Sequence, residues 1–360
     1  MEQLFVDGDI AKAATLPASF YTSTHWYDAA IEKIFASTWQ FCISRENLSQ
    51  PGKIIPHTIL SGLLDEPVLF VRDNDNQTHC LSNVCTHRAN ILVNDPCVVR
   101  NIICRYHGRR FSLNGQFEHM PEFQCAQNFP TPADNLAKIQ HDHLGNFLFA
   151  ALKPVISFEE TILEVKKRLH WMPFDKMQFD ASRSRDYMVQ SHWALYCENY
   201  LEGFHIPFVH KGLRSVIDFP SYKIETYRYS NLQLAIAGKG EHGFDLPKDS
   251  PDYGKNIAAY YYWLFPNTML NFYPWGCSVN VVQPLGLSQT KVSFLAFVMD
   301  ESRLGTGAGG ALDTVELEDE VVVESVQKGV RSRFYNKGRY SPTQEQGTHH
   351  FHRLLCDFLG

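Results

Sequence analysis

The sequence predicts an α+β protein: a small all-β domain, then a larger domain in which helices accompany antiparallel strands. Three observations carry that prediction. Between about residues 39 and 152 only short β-rich runs occur, separated by turn signals. Beyond residue 181, strand-like runs recur over 258–264, 269–272, 277–283 and 291–299. Apolar residues at helical spacing mark 27–39, 157–170 and 312–330. The expected organisation is a helical N-terminal segment over 1–38 that packs on the larger domain, an all-β domain over 39–152, and the larger domain over 153–360.

In chain order, Ala30, Ile31, Ile34, Phe35 and Trp39 form a packing stripe. Within the β domain, 67–71 and 98–103 are strand runs. Asn114-Gly115 between short apolar segments is a two-residue hairpin signal. Residues 157–170 place Ile162, Val165 and Leu169 on one helical face. The glycines of 305–310 read as a flexible loop leading into a helix; no Lys-Ser/Thr follows, as a phosphate cradle would require. From 312 to 330, Leu312, Val315, Val322, Val323, Val326 and Val330 form one apolar stripe. His349-His350-Phe351-His352, among Leu354, Leu355 and Phe358, reads as a packing helix and not as a metal site.

With 360 residues, 44% of them hydrophobic and 20% charged, the chain has the composition of a soluble globular protein with a sizeable core. Its net charge of −6 argues against non-specific nucleic-acid binding. No apolar run approaches the roughly 20 residues of a membrane span, and the first residues show neither a basic nor an apolar leader region. A cytoplasmic protein is expected. Its nine cysteines are an odd number without a disulfide framework, so two are read as ligands and seven as reduced thiols.

Those two are Cys85 and Cys104. Cys85-Thr86-His87 and Cys104-Arg105-Tyr106-His107 each offer one thiolate and one imidazole, sixteen intervening residues apart. A [2Fe–2S] centre with two Cys on one iron and two His on the other needs this set. Zinc accepts the same donors, but zinc modules more often pair Cys with Cys and His with His. The cluster is the better reading.

A second constellation follows at 197–210. Glu202 and His205, three apart, share a face if helical. Pro207 should kink or stop the helix, which lets His210 converge with His205. Two histidines and one carboxylate with open positions form the facial triad of non-haem Fe(II) oxygenases. Glu202 is the near carboxylate, but Asp319 falls in the middle of the 312–330 stripe, and a buried carboxylate must be paired or metal-bound. Glu318, Glu320 and Glu324 project off that stripe, and Glu316 lies at its edge. Glu318 is thereby expected to be dispensable.

Together, Cys-x-His, Cys-x2-His, Glu-x2-His-x4-His and a distal Asp resemble the α subunit of Rieske non-haem iron oxygenases, over about residue 25 to the end. Within that family the chain is similar to the choline, carnitine, glycine-betaine and stachydrine oxygenases, through 199–203 (Asn-Tyr-Leu-Glu-Gly), 263–267 (Trp-Leu-Phe-Pro-Asn), 324–329 (Glu-Ser-Val-Gln-Lys-Gly) and the Phe351-His352 stretch. Thr86 and Ala89 stand where many members have Pro and Gly. Glu202 stands where many ring-hydroxylating members have Asp, although an aromatic-ring hydroxylating dioxygenase α subunit is the alternative.

The resemblance implies an N-terminal Rieske domain and a catalytic helix-grip (START-like) domain with a curved antiparallel sheet. It implies a [2Fe–2S] cluster on Cys85, His87, Cys104 and His107, and Fe(II) on His205, His210 and Asp319. Asn199 would lie near the iron, and Glu202 would bridge histidines of the two sites between subunits of a homotrimer. Electrons would come from NAD(P)H through a separate flavin/iron–sulfur reductase or a ferredoxin, since this chain shows no nucleotide fingerprint. The activity implied is O2-dependent hydroxylation or N-demethylation of a small quaternary ammonium compound, by mono- or dioxygenation. Aromatic-rich segments 260–263 and 273–275 could box such a cation, with Trp275 the single residue named.

Overall fold

In the computed structural model, which describes residues 3–360, the chain divides into two compact units: Trp39–Pro154, and Val155–Gly360 together with the N-terminal residues up to Thr38. The first unit is all β apart from single 3-10 turns. One sheet joins β1 (Gln40–Ser44), β10 (Phe147–Ala151) and β9 (Gln140–Leu144) in that order. A second runs β4 (Thr78–Ser82), β3 (Glu66–Arg72), β2 (Lys53–Ile59), β5 (Cys97–Val98), and a third β6 (Ile102–Ile103), β7 (Arg110–Phe111), β8 (Phe117–His119). All pairings are antiparallel.

The run expected over 98–103 is in fact two strands of different sheets. Val99 N–H is drawn to Gly52 O at 3.0 Å, while Asn101 Nδ2 donates to Glu118 at 2.8 Å, and the chain bends between them. The Asn114-Gly115 turn connects β7 to β8, with Gly115 N–H on Ser112 O at 3.0 Å and Ser112 N–H on Gln116 O at 2.9 Å. Beneath the turns lies a core of Ile54, Leu69, Val71, Leu81, Ile102 and Phe111, to which Cys85 and Cys104 belong.

In the second unit, α1 (Ala18–Thr22) and α2 (Thr24–Lys33) precede α3 (Phe158–Arg168). Ser157 caps α3 and makes a reciprocal capping box with Glu160. Seven antiparallel strands follow: β11 (Gln178–Val189), β12 (Lys223–Thr226), β13 (Ser230–Ile236), β14 (Ile257–Leu264), β15 (Thr268–Tyr273), β16 (Gly276–Gly286) and β17 (Gln289–Val298). Their order is β11-β17-β16-β15-β14-β13-β12, a meander whose last strand takes the first as its neighbour. β11 and β12 therefore occupy opposite edges of the sheet. The chain between them, with α4 (Trp193–Tyr200), α5 (Ile206–Val209) and α6 (Lys211–Val216), has to run from one edge to the other. That segment carries the 197–210 constellation. After β17 come α7 (Leu312–Gly329) and α8 (Gln346–Leu359). No helix of the described residues is long and apolar enough to cross a membrane.

The glycine-rich segment 305–310 contains a 3-10 turn, Gly307–Gly309, laid against Trp275 and Tyr273. The stripe of α7 also differs from expectation. Glu316, Val323 and Gln327 are its buried residues, whereas Val326 is 43% exposed. Tyr196 and the backbone N–H of His192 take up Glu316 and Gln327 through hydrogen bonds, so polar residues occupy the inward face.

Candidate functional site

The two Cys/His loops of the first unit are built alike. Cys85 N–H donates to Asn90 O (2.9 Å) and its carbonyl accepts from Ala89 N–H (3.0 Å). Cys104 N–H donates to Arg109 O (2.8 Å) and its carbonyl accepts from Gly108 N–H (3.0 Å). Each loop passes through a left-handed residue, Ala89 at φ 52° and Gly108 at φ 73°. Both thiols are free and buried, and burial together with the neighbouring Cys104 thiol raises the Cys85 pKa. The His87 and His107 rings stand 4.9 Å apart at 77°, half-buried and exposed respectively. Asn90 Nδ2 reaches the Cys104 sulfur at 3.6 Å.

One residue outside the motif fastens both loops. The Asp134 carbonyl accepts from Thr86 Oγ1 of the first (2.8 Å) and from Arg109 of the second (3.1 Å). Its carboxylate pairs with the same guanidinium at 2.6 Å. Arg109 is itself buried, its charge over the Phe117 ring at 4.8 Å. Thr86, a departure from the usual Pro, thus has a use for its hydroxyl. Paired inner thiols beneath outer imidazoles, on loops pinned together, fit a [2Fe–2S] cluster of mixed ligation.

In the second unit, α4 ends at Tyr200, and Glu202 to His205 lie in a non-helical connection. Pro207 does not break a helix; it sits in the first turn of α5, where a missing N–H costs nothing. His205 and His210 cap the two ends of this single turn, so its shortness, together with the connection before it, brings them together. Gly203 is needed there, because a Cβ at this position would come within 2.6 Å of the Tyr222 ring.

His205 and His210 direct Nε2 atoms at each other, 3.1 Å apart, and at Asp319 Oδ1, at 3.5 and 3.0 Å. Behind each ring stands a carboxylate: Glu202 Oε1 at 2.7 Å from His205 Nδ1, and Glu318 Oε2 at 2.7 Å from His210 Nδ1. Glu202 Oε2 also accepts the backbone N–H of His205 at 3.1 Å. With each Nδ1–H donating outward, both Nε2 lone pairs and a carboxylate oxygen converge with no proton to share. Such a trio is stable around a cation, and these separations suit donors at about 2.1 Å from one ion. His205, His210 and Asp319 are also the one group of three or more His, Cys, Asp or Glu among the described residues whose ligand atoms lie close enough together, within 4.8 Å. Asn199 Nδ2 donates to Asp319 Oδ1 at 2.7 Å.

A cavity opens beside the triad, walled by Tyr200, Tyr222, Tyr261, Tyr273 and Phe294. The expectation for Trp275 is corrected: the indole does not line this cavity but stacks behind Tyr273, ring centroids 5.4 Å apart at 16°. Glu318 has its backbone off the buried stripe, as expected, but the long side chain reaches back to His210. Glu316, which does line the cavity, is 2% exposed and accepts a 2.5 Å hydrogen bond from Tyr196, and burial pushes its carboxyl up to about 8. Asp134, Arg109, Glu316 and Glu318 carry no motif, and spacing alone could not single them out.

Residues 38–130 match the Rieske [2Fe-2S] domain, and residues 174–360 match the ring hydroxylating alpha subunit (catalytic domain). The chain belongs to the α subunits of the Rieske non-haem iron oxygenases. It is an oxidoreductase that incorporates O2, of a family that uses a Rieske cluster, a non-haem iron and a separate reductase. It is 29% identical to choline monooxygenase, chloroplastic, of Arabidopsis thaliana (96% of this chain, 83% of the relative). To the carnitine monooxygenase oxygenase subunit of Escherichia coli K12 it is 26% identical (96% and 94%). Its fold matches the quaternary ammonium Rieske monooxygenase CntA in complex with L-carnitine, with a TM-score of 0.79 at 22% identity over all of both chains. Naphthalene 1,2-dioxygenase from Rhodococcus matches with a TM-score of 0.71 at 17% identity (96% and 93%). The overall fold is shared with both.

Proposed function

We propose that this Rieske oxygenase oxidises a small quaternary ammonium compound, by hydroxylation or by N-demethylation of an N-methyl carbon. The observation that carries this reading is the character of the cavity beside the triad. Its walls are rich in aromatic side chains, and its acidic and basic lining residues are the two histidines, Glu202, Glu316 and Asp319, without a Lys or Arg. Tyrosine faces attract a cation through their quadrupole, and an aromatic carboxylate would find no basic partner. The likeness to choline and carnitine monooxygenases along 96% of the chain supports the same class.

In this reading Cys85, His87, Cys104 and His107 hold the cluster, and His205, His210 and Asp319 the iron. When bound, the cluster supplies single electrons and the iron supplies open positions for O2 beside the substrate. The protein's own part is orientation. Glu202 and Glu318 each fix one imidazole in the tautomer that leaves Nε2 free, and Asn199 holds the Asp319 carboxylate. Hydroxylation at an N-methyl carbon yields a carbinolamine, which collapses to formaldehyde and the demethylated amine.

We assign Glu202 a second task, as the bridge to a Rieske histidine of a neighbouring copy in a homotrimer. Both its oxygens retain a lone pair beyond the bonds to His205. Two residues along the chain, Phe204 is 44% exposed and its ring meets Phe208, 77% exposed, as expected of a surface that another copy covers. Electrons would arrive from NAD(P)H through a flavin/iron–sulfur reductase or a ferredoxin.

The test is O2 uptake by iron-loaded protein with a surrogate reductase, across choline, carnitine, glycine betaine and a panel of aromatic acids and hydrocarbons. Stimulation by a quaternary amine, with stoichiometric oxidised product, is expected. Coupled turnover of an aromatic compound alone would establish the ring-hydroxylating alternative.

A further inference from the structure

Glu316 is a buried carboxylate with one of its two oxygens unpartnered. Its Oε2 accepts from Tyr196 Oη, while Oε1 is buried without a partner in a residue that lines the cavity. An uncompensated carboxylate oxygen in a desolvated place is destabilising, so its retention points to a ligand whose positive charge offsets it. Two parallel contacts join α4 to α7: Tyr196 with Glu316, and Asn199 with Asp319. Glu316 thus stands one helical turn from Asp319 on the same face, roughly 4.5 Å along the axis.

Charge singles out the same residue. Outside the triad, the carboxyl side chains lining the cavity are Glu202 and Glu316, and Glu202 is committed to His205 and, in the reading above, to a histidine of the neighbouring copy. We propose that Glu316 is the counter-charge of the substrate's cationic nitrogen, and so the residue that selects a quaternary amine over a neutral molecule of the same shape. This rests on the quaternary ammonium reading above and assigns its recognition to one side chain. Burial holds the carboxyl protonated up to about 8 in the ligand-free cavity, and an adjacent positive charge favours its ionised form. Tyr196, donating to Oε2, stabilises that form further.

The experiment compares choline with its neutral carbon isostere, 3,3-dimethylbutan-1-ol, by calorimetry on iron-loaded wild-type protein and on Glu316→Gln. Gln keeps the shape and removes the charge. Wild type is expected to bind choline at least about tenfold tighter than the isostere, and Glu316→Gln to lose about tenfold or more for choline while binding the alcohol within about twofold of wild type. Iron content and cluster absorption should be unchanged, which separates recognition from damage to the triad. Equal losses for both ligands would make Glu316 a partner of the hydroxyl or a packing group, and would overturn the proposal. So would a preserved choline preference in Glu316→Gln. The wild-type preference is an arm that needs no variant: if choline or γ-butyrobetaine is oxidised but not preferred over its tert-butyl isostere, the counter-charge fails while the substrate class stands. If wild type neither binds nor oxidises any quaternary amine, the substrate class fails and takes this assignment with it.

Discussion

The loops that present Cys85, His87, Cys104 and His107 and the helices that present His205, His210 and Asp319 meet the same requirement in opposite ways. In the first region the donors come from two neighbouring turns of one build, and His107 is left exposed. In the second, His210 meets a carboxylate 109 residues further along the chain, is 1% exposed, and has an acidic partner behind its ring. A site made of local turns depends on backbone conformation. One made across a helix–helix contact depends on the side chains that aim its ligands.

The sharpest break between the regions comes from removing a proposed ligand from each. Cys104→Ser should bleach the visible absorption of the cluster and abolish turnover while the triad keeps its iron. Asp319→Ala should do the reverse, with iron falling by about one atom per chain and the cluster spectrum intact. Metal analysis and absorption spectra on the same samples give both readings. Loss of both centres in either variant would mean that the two units do not hold their metals independently.

The same contrast explains what the sequence made legible. Cys-x-His and Cys-x2-His are visible because five- or six-residue loops confine their donors, and His205 and His210 because a short connection does the same. Asp319 was within reach because a helix of known phase carries it. Yet the stripe that located it included Val326, which is exposed, and left Glu316, which is buried, at its edge. The reason is that Tyr196 supplies a hydrogen bond that makes burial of Glu316 possible, and a hydropathy pattern cannot see a partner 120 residues away. Trp275 and Tyr273 differ likewise: the same aromatic segment supplies both, but only the packed structure decides which ring meets the cavity and which backs it.

A middle-sized effect is expected at Glu318. Its carboxylate accepts from His210 Nδ1 at 2.7 Å, so it fixes the ring and raises the basicity of Nε2. Glu318→Ala should weaken binding of the mononuclear iron by about 10–100-fold, measured by chelator competition, and leave the cluster spectrum alone. Glu318→Gln keeps an acceptor without the charge and should lie between that variant and wild type. An unchanged iron affinity in Glu318→Ala would remove the claim that this region is ordered by side chains behind its ligands.

The smallest effect is expected where the two cluster loops differ from each other. Both close with the same pair of backbone hydrogen bonds and both need a left-handed residue one position before the closing carbonyl. Gly108 adopts φ 73° freely, whereas Ala89 holds φ 52° against the clash of its Cβ with the following carbonyl, about 1–2 kcal/mol. The Ala89 side chain is exposed, so no packing offsets that strain. Replacing Ala89 by Gly relieves it but adds freedom to the unfolded chain, about 0.4–1 kcal/mol. The net expectation for Ala89→Gly is a gain between about zero and 1.6 kcal/mol. Gly108→Ala should lose a similar amount, since its Cβ would meet only the Pro121 ring, at an ordinary 3.4 Å, and the cost would lie in the backbone. Urea unfolding followed through the cluster absorption reads both changes. If Ala89→Gly weakens the unit, the first loop is not the strained copy of the second.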